Sequence, residues 1–447
     1  MSTIELGEMP TAGDDRPAPA GSARFDRRLV RQIALVVAAL LCAVTLTGAE
    51  VPRAHGLRPL WSVATSEAQG TALSRDSLFV YRTADSVTTI VAHDLRTGAI
   101  RWQRTLNGAI GYIQPADDAG MLLIPTEGRL VELPSANDGT AFQAEVHGAT
   151  VAVSIATGEE LWRTDGEPYT VSHDTALMTQ FSPGAALRRI RLIRLSDRST
   201  IWSRDTAGVR NYLSLPMNDR PDKVVTATDV GEIKIYAYAS GALLSEARIP
   251  WVTPRPDEGF FNDLTGTSEI LVVNRSQANT FDMSVYRTDT MAELWRAPHT
   301  DGYAFACGAA LCVNGGQGVV AYDMNTGAQL WRLADAANAW PLNAERVAVG
   351  EGADDGAMRL VDAGTGRVVG EPASGTLAWN ETQEGTALVL RPTESPAGRT
   401  AVTRWDLRTG RQWLLGSIAP VAGPPCSVRT GILACNRGDS YEVIAVG

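Results

Sequence analysis

A nine-residue phrase recurs along this chain and limits what the chain can fold into. Residues 94–102 read DLRTGAIRW. Its copies and remnants are SIATGEELW at 154–162, RLSDRSTIW at 194–202, RTDTMAELW at 287–295, DMNTGAQLW at 323–331 and DLRTGRQWL at 406–414. With the further turns at Ser240-Gly241 and Thr365-Gly366, the units recur roughly every 36 to 60 residues, which indicates a repeat architecture whose units stack to bury one continuous core.

Each complete phrase has the residues of a tight hairpin followed by a strand. Asp94 lies three residues before Thr97, where a short acidic side chain can hydrogen-bond the backbone of a turn. The next residue is a glycine, which supplies the positive φ that a tight hairpin needs. The predicted turn glycines are Gly98, Gly158, Gly241, Gly327, Gly366 and Gly410. A Trp four residues past the glycine, such as Trp102, lies on one fixed face of the following strand.

Short strands with alternating apolar residues precede the turns, and no amphipathic helical pattern is found past residue 50. Four strands per unit at this period are typical of propeller blades. The stretch 57–64 supplies a lone Trp strand, and 426–446 supplies three strands without one, so we expect both termini to form the last blade. The repeats allow nine blades; because propellers usually have four to eight, we expect eight.

The pattern Asp-x-x-Thr-Gly-x-x-x-Trp resembles the repeat of the pyrroloquinoline-quinone-type (PQQ-like) β-propellers, over about residues 57–447. The resemblance implies an all-β fold of four-stranded blades in which the Trp docks one blade against the next. The tryptophans expected to dock blades are Trp61, Trp102, Trp162, Trp202, Trp295, Trp331 and Trp413. The family includes quinoprotein dehydrogenases, outer-membrane assembly lipoproteins and binding scaffolds, so the resemblance implies no single function.

The N-terminal segment differs in composition from the repeats. Residues 1–28 are rich in Pro, Ala and Gly and end in a cluster of arginines, so we expect a disordered tail. Residues 33–49 carry no charged side chain, and with Leu29 and Val30 the stretch 29–49 is long enough to span a bilayer as one helix, followed by a linker at 50–56. The arginines place the tail in the cytoplasm and the propeller outside the membrane.

Two other interpretations of this segment remain open. A cleaved signal peptide could end near Ala49, and a lipoprotein signal would use Cys42, although Leu41 precedes it where a small residue is expected. All three alternatives export the rest of the chain.

The cysteines agree with export, because disulfides persist in oxidising compartments. Cys42 lies within the apolar stretch. The other four form two local pairs, Cys307 with Cys312 and Cys426 with Cys435, and the short separations favour pairing within each pair. Free buried thiols are the alternative.

No catalytic or metal-binding motif is recognisable, and the five histidines lie in different units, which indicates isolated residues. A quinoprotein oxidoreductase with bound pyrroloquinoline quinone is the alternative hypothesis, but the adjacent cysteines typical of those enzymes are missing. The net charge of −10 argues against nucleic acid as a partner. We therefore expect a membrane-anchored, extracytoplasmic, monomeric scaffold without catalytic residues or cofactor, which binds a protein or an envelope ligand.

Function on such a scaffold is expected where the repeat is interrupted. The stretch 131–148 is polar and Gly-rich enough to be an insertion in the second unit. In the segment 254–263, Pro-rich turns surround Phe260 and Phe261. Adjacent aromatic rings in a loop form a candidate contact site, unless both rings pack under the blade.

Overall fold

The structure is a computed structural model. It describes residues 56–447 except 66–67, 69, 135–140, 183–185, 218–219, 253–259, 278–279, 301, 351–355, 381–384, 423–425 and 430. The chain divides into two units, Met1–Ala54 and His55–Gly447. The predicted tail 1–28 and span 29–49 lie outside the described residues. Within the described ranges, no helix has both the length and the apolar character needed to cross a membrane.

The described residues form nine sheets, each with four antiparallel strands. The chain starts with β1 (Leu57–Ala64). Blade 1 comprises β2 (Gly70–Leu73), β3 (Ser77–Ala84), β4 (Val87–Asp94) and β5 (Ile100–Asn107). Blade 2 comprises β6 (Gln114–Ala116), β7 (Met121–Pro134), β8 (Ala141–Ser154) and β9 (Glu160–Asp165), with a 3-10 turn at Asp117–Ala119. Blade 3 comprises β10 (Glu167–Ser172), β11 (Thr175–Phe181), β12 (Leu187–Arg194) and β13 (Thr200–Asp205).

The next three blades have the same strand order. Blade 4 comprises β14 (Val209–Met217), β15 (Arg220–Thr228), β16 (Glu232–Ala237) and β17 (Leu243–Arg248). Blade 5 comprises β18 (Phe260–Gly266), β19 (Ile270–Gln277), β20 (Thr280–Arg287) and β21 (Glu293–Thr300). Blade 6 comprises β22 (Ala304–Cys307), β23 (Ala310–Gly315), β24 (Gly318–Asp323) and β25 (Gln329–Leu333).

The last three blades complete the ring. Blade 7 comprises β26 (Asn338–Pro341), β27 (Arg346–Gly350), β28 (Ala357–Asp362) and β29 (Ala373–Ser374). Blade 8 comprises β30 (Thr376–Leu377), β32 (Thr386–Glu394), β33 (Ala397–Asp406) and β34 (Gln412–Ile418). Blade 9 comprises β35 (Ser427–Arg429), β36 (Ile432–Asn436), β37 (Ser440–Val446) and β1, and the short β31 (Trp379–Asn380) pairs with β35 in parallel.

The prediction of eight blades was wrong, because both remnant phrases build complete blades. RLSDRSTIW links β12 to β13, and RTDTMAELW links β20 to β21. At the glycine positions of these turns, Arg198 and Met291 adopt φ values of 57° and 55°. A side chain in the left-handed region is strained but allowed, so these hairpins close without glycine.

Blade 9 confirms the predicted closure by the two termini. β1 pairs antiparallel with β37, from Leu57 opposite Val446 to Ala64 opposite Ser440. The pairing covers a strand edge that would otherwise offer unpaired backbone groups.

Tryptophan side chains join most neighbouring blades in one recurring geometry. Trp102 of blade 1 donates its indole N–H to Ile155 O in the turn of blade 2, at 2.8 Å. Its ring covers Gly158, where a methyl group would lie 2.6 Å from the indole. The other indoles donate to the equivalent carbonyl of the next blade: Trp61 to Leu95, Trp162 to Leu195, Trp202 to Tyr238, Trp295 to Met324 and Trp331 to Ala363.

Trp413 does not make this contact, and its ring is 44% exposed. It lies three residues past Gly410 instead of four, so it points to the opposite side of its strand from a docking indole. The docking position in this strand belongs to Leu414. A docking side chain at this position would also have no partner in blade 9. The third and fourth strands of that blade come from opposite ends of the chain, so no Thr–Gly turn connects them.

The turn aspartates hold the hairpins that receive the indoles. Asp94 Oδ1 accepts hydrogen bonds from the backbone N–H and the hydroxyl of Thr97, and Arg101 donates to Oδ2 at 2.7 Å. The hydrogen bond from Arg101 is the main reason why the pKa of Asp94 falls to about 2. In the equivalent turns, hydrogen bonds from a Thr hydroxyl lower the pKa of Asp323, Asp362 and Asp406.

Both disulfides have the predicted local pairing. Cys307 at the end of β22 bonds to Cys312 in the adjacent β23. Cys426, just before β35, bonds to Cys435 in β36. Each bond therefore ties the innermost strand of a blade to the next strand outward.

We predict that Gly158→Ala destabilises the propeller by about 2–4 kcal/mol, because the new methyl group meets the Trp102 ring and Gly158 has a φ of 72°. The measurement is the urea unfolding midpoint. Gly316→Ala is the matched control, since a methyl group there has no atom within 4 Å. Equal midpoints for the two variants would contradict the docking role of Gly158.

Candidate functional site

The largest departure from the repeat is a long hairpin in blade 2. Its strands β7 and β8 each have 14 residues and pair from Met121 opposite Ser154 to Pro134 opposite Ala141. The neighbouring strands are much shorter: β6 pairs with β7 only as far as Leu123, and β9 pairs with β8 only as far as Ala149. Residues 128–134 and 141–147 therefore form a two-stranded ribbon, which we call the arm. It includes much of the insertion predicted at 131–148.

Strand connectivity places the arm on one face of the propeller. In each blade, the connection between the second and third strands and the connection to the next blade lie on the same side, because the strands alternate in direction. We call this side the arm face. The docked Thr–Gly turns lie on the opposite side, the turn face.

A buried histidine lies at the base of the arm. The His147 side chain is 1% exposed, and its Nδ1 lies 2.8 Å from Glu167 Oε2, at the start of β10. The same carboxylate oxygen accepts the backbone N–H of His147 at 2.9 Å. On the other side of the ring, Nε2 lies 3.4 Å from Glu145 Oε1 but makes no hydrogen bond. The histidine thus connects the arm to blade 3 through one acidic side chain and faces a second.

Tyrosines of successive blades surround this cluster. The Tyr112 ring packs edge-on against His147, with centroids 5.6 Å apart, and its hydroxyl donates to Pro168 O at 3.2 Å. The rings of Tyr169 and Tyr212 pack edge-on against each other, with centroids 4.7 Å apart. Burial, with a further contribution from Glu167, raises the pKa of both Tyr112 and Tyr212, so both stay neutral. We call Tyr112, Glu145, His147 and Glu167 the arm-base cluster.

The arm-base cluster was not predicted from the sequence, which indicated isolated histidines. Glu145 and His147 alternate along one strand, and Glu167 opens the next blade. The pairing of Ala149 with Asp165 and the hydrogen bond from Gly166 N–H to Gly148 O bring Glu167 beside His147, and no local motif carries that register. Among the described residues, no group of three or more His, Cys, Asp or Glu side chains is arranged to hold a metal ion.

The predicted contact site at Phe260 and Phe261 falls partly outside the described residues. These residues begin β18, at the arm-face end of the innermost strand of blade 5. The preceding segment 253–259 and both phenyl rings are not described. Their role as a contact site stays a prediction.

Nine sheets, six of whose junctions are joined by a docked tryptophan in the described part of the chain, define a β-propeller of PQQ-like repeats. A family model described as outer membrane protein assembly factor BamB matches residues 88–283 and 281–413. The chain belongs to this family. A search of curated proteins found no significant match to the sequence.

Several solved structures resemble the propeller. BamB from Moraxella catarrhalis is 13% identical with a TM-score of 0.43, over 87% of this chain and 99% of that chain. A eukaryotic initiation factor is 11% identical with a TM-score of 0.52, over 81% and 90%. A europium-containing methanol dehydrogenase is 14% identical with a TM-score of 0.42, over 87% and 93%. Of these three, only the initiation factor has a TM-score above 0.5, and at 11% identity that likeness concerns the fold alone.

We predict that Glu167→Ala loosens the base of the arm, because it leaves two N–H donors of His147 without their acceptor. The expected cost is about 1–3 kcal/mol of local stability. Hydrogen exchange of the amides at 144–152 should accelerate, while blade 6 is unchanged. Glu246→Ala is the control, since that carboxylate is exposed and lies 4.0 Å from Lys234. Unchanged exchange at 144–152 would show that the contact does not hold the arm.

Proposed function

We propose that this protein is a non-catalytic, membrane-anchored, extracytoplasmic scaffold that binds a protein partner through the arm. Membership of a family described as an outer membrane protein assembly factor supports a scaffold role in the cell envelope. The proposal mainly rests on the arm, whose two strands pair with no third strand in the described residues.

The arm has the properties of a protein-binding element. Its two strands pair with each other, and in the described residues neither pairs with a third strand beyond Leu123 or Ala149. Unpaired backbone N–H and C=O groups along such an edge can accept a strand from another protein. Leu130 on the arm is 66% exposed, which provides an apolar contact beside that edge.

Two further features support an extracytoplasmic location. The bonds Cys307–Cys312 and Cys426–Cys435 persist where the environment is oxidising. The stretch 29–49 is long enough for one membrane span, and the arginines that precede it favour a cytoplasmic N-terminus. We infer that one chain is the functional unit, since β1 closes the ring within the chain.

The experiment is site-specific photo-crosslinking in intact cells with the full chain. A photoreactive residue at Leu130 should capture a discrete protein partner. The same residue at Leu414 is the matched control, because this leucine is 70% exposed but lies on the outermost strand of blade 8, away from the arm.

Three outcomes would count against the proposal. Capture of the same protein from Leu414, or no capture from Leu130, would contradict binding through the arm. Saturable, stoichiometric uptake of pyrroloquinoline quinone with Ca²⁺ by the purified chain would favour the oxidoreductase alternative.

A further inference from the structure

The junction between blades 7 and 8 lacks the docking indole. Gly370 occupies the Trp position and lies directly against Gly410, where a methyl group on Gly370 would lie 2.6 Å from Gly410 Cα. The carbonyl that would accept the indole N–H belongs to Leu407, and it accepts Arg346 Nε instead, at 2.9 Å. Arg346 therefore replaces the hydrogen bond that an indole N–H would make, but no side chain of the described residues fills the space of the indole ring.

An open groove of ≈ 440 Å³ lies at this junction. It is lined by Gly370, Glu371, Gly410, Arg411, Gln412 and Trp413. Trp413 contributes an accessible aromatic face, because it points away from the docking side of β34. The missing side chains of the two glycines let blades 7 and 8 touch backbone to backbone, because a Cβ on either glycine would meet the other glycine at 2.6 Å.

The walls of the groove are held in place. Gln412 Nε2 donates to the carbonyls of Glu371 and Pro372, both at 3.0 Å, and so ties blade 8 to the segment that precedes β29. A ligand would therefore meet a preformed site, which lowers the entropic cost of binding.

Two charged side chains at the groove are available to a ligand. The Arg411 guanidinium lies over one face of the Trp413 ring, 5.9 Å from its centroid. Within the described part of the chain, neither this guanidinium nor the Glu371 carboxylate has an ion pair or a side-chain hydrogen bond. The groove thus combines an aromatic face, a strong donor and a strong acceptor, and the two charges cancel.

We propose that this groove binds a neutral saccharide. A pyranose ring has an apolar C–H face that packs on the Trp413 indole and hydroxyl groups that accept from Arg411 and donate to Glu371. The aromatic side chain of a protein partner would use the indole face but would leave both charged groups without a match. The volume is in the range of small-ligand sites. The groove lies between blades 7 and 8, whereas the arm belongs to blade 2. Saccharide binding in the groove therefore does not depend on protein binding by the arm.

The test is isothermal titration of the detergent-solubilised full chain with maltotriose, chitotriose and mannotriose. At least one should bind saturably with a Kd below about 1 mM. Trp413→Ala should weaken that binding by about ten-fold or more, because it removes the stacking face. Trp413→Phe should retain most of it. Leu414→Ala is the matched control, since it changes the neighbouring exposed residue on the opposite side of the same strand.

Several results would overturn the proposal. The proposal is wrong if none of the three trisaccharides binds, or if Trp413→Ala binds them as tightly as the wild type. It is also wrong if N-acetyl-tryptophanamide binds and the sugars do not. Because Trp413 is partly exposed and docks no blade, Trp413→Ala should unfold at the same urea concentration as the wild type. Crosslinking from Leu130 reports on the arm independently of these results.

Discussion

The fold depends on one contact, an indole of one blade packed on the turn of the next. The indole ring packs on a turn without a side chain at its centre, which Gly98, Gly158, Gly241, Gly327 and Gly366 provide. The indole N–H also donates a hydrogen bond to a backbone carbonyl in the same turn of the next blade. A single four-stranded blade cannot bury its apolar faces alone. The repeated contact sets the spacing between blades, and the pairing of β1 with β37 closes the ring.

Much of this architecture could be predicted from the sequence, because the turn residues and the Trp lie within nine positions of one another. The closure by both termini and the two local disulfides were also predictable. The blade count was not, since Arg198 and Met291 take a backbone conformation that glycine usually supplies. The position of Trp413 depends on a one-residue difference in spacing and on a missing turn in blade 9. The arm-base cluster depends on the register between strands, which no short motif specifies.

At the blade junctions that lack a docking Trp, other residues make the contact between blades. Between blades 4 and 5, Ser245 donates to Thr288 O at 2.6 Å, and Met291 of the receiving turn is buried. Between blades 7 and 8, Arg346 supplies the hydrogen bond and a groove is left open. The repeated nine-residue phrase thus has a structural role. The two candidate binding surfaces lie where a blade departs from the repeat: the arm where a hairpin is longer, and the groove where the docking Trp is missing. Such a division lets a rigid ring carry variable sites.

The most direct test of this account is the exchange rate of the indole N–H groups, measured by NMR on assigned tryptophans. The N–H of Trp102, which is buried and bonded to Ile155 O, should exchange slowly, at a rate governed by opening of the blade junction. The N–H of Trp413 should exchange close to the rate of a free indole. Equal, rapid exchange of both groups would contradict the claim that docked indoles hold the ring together.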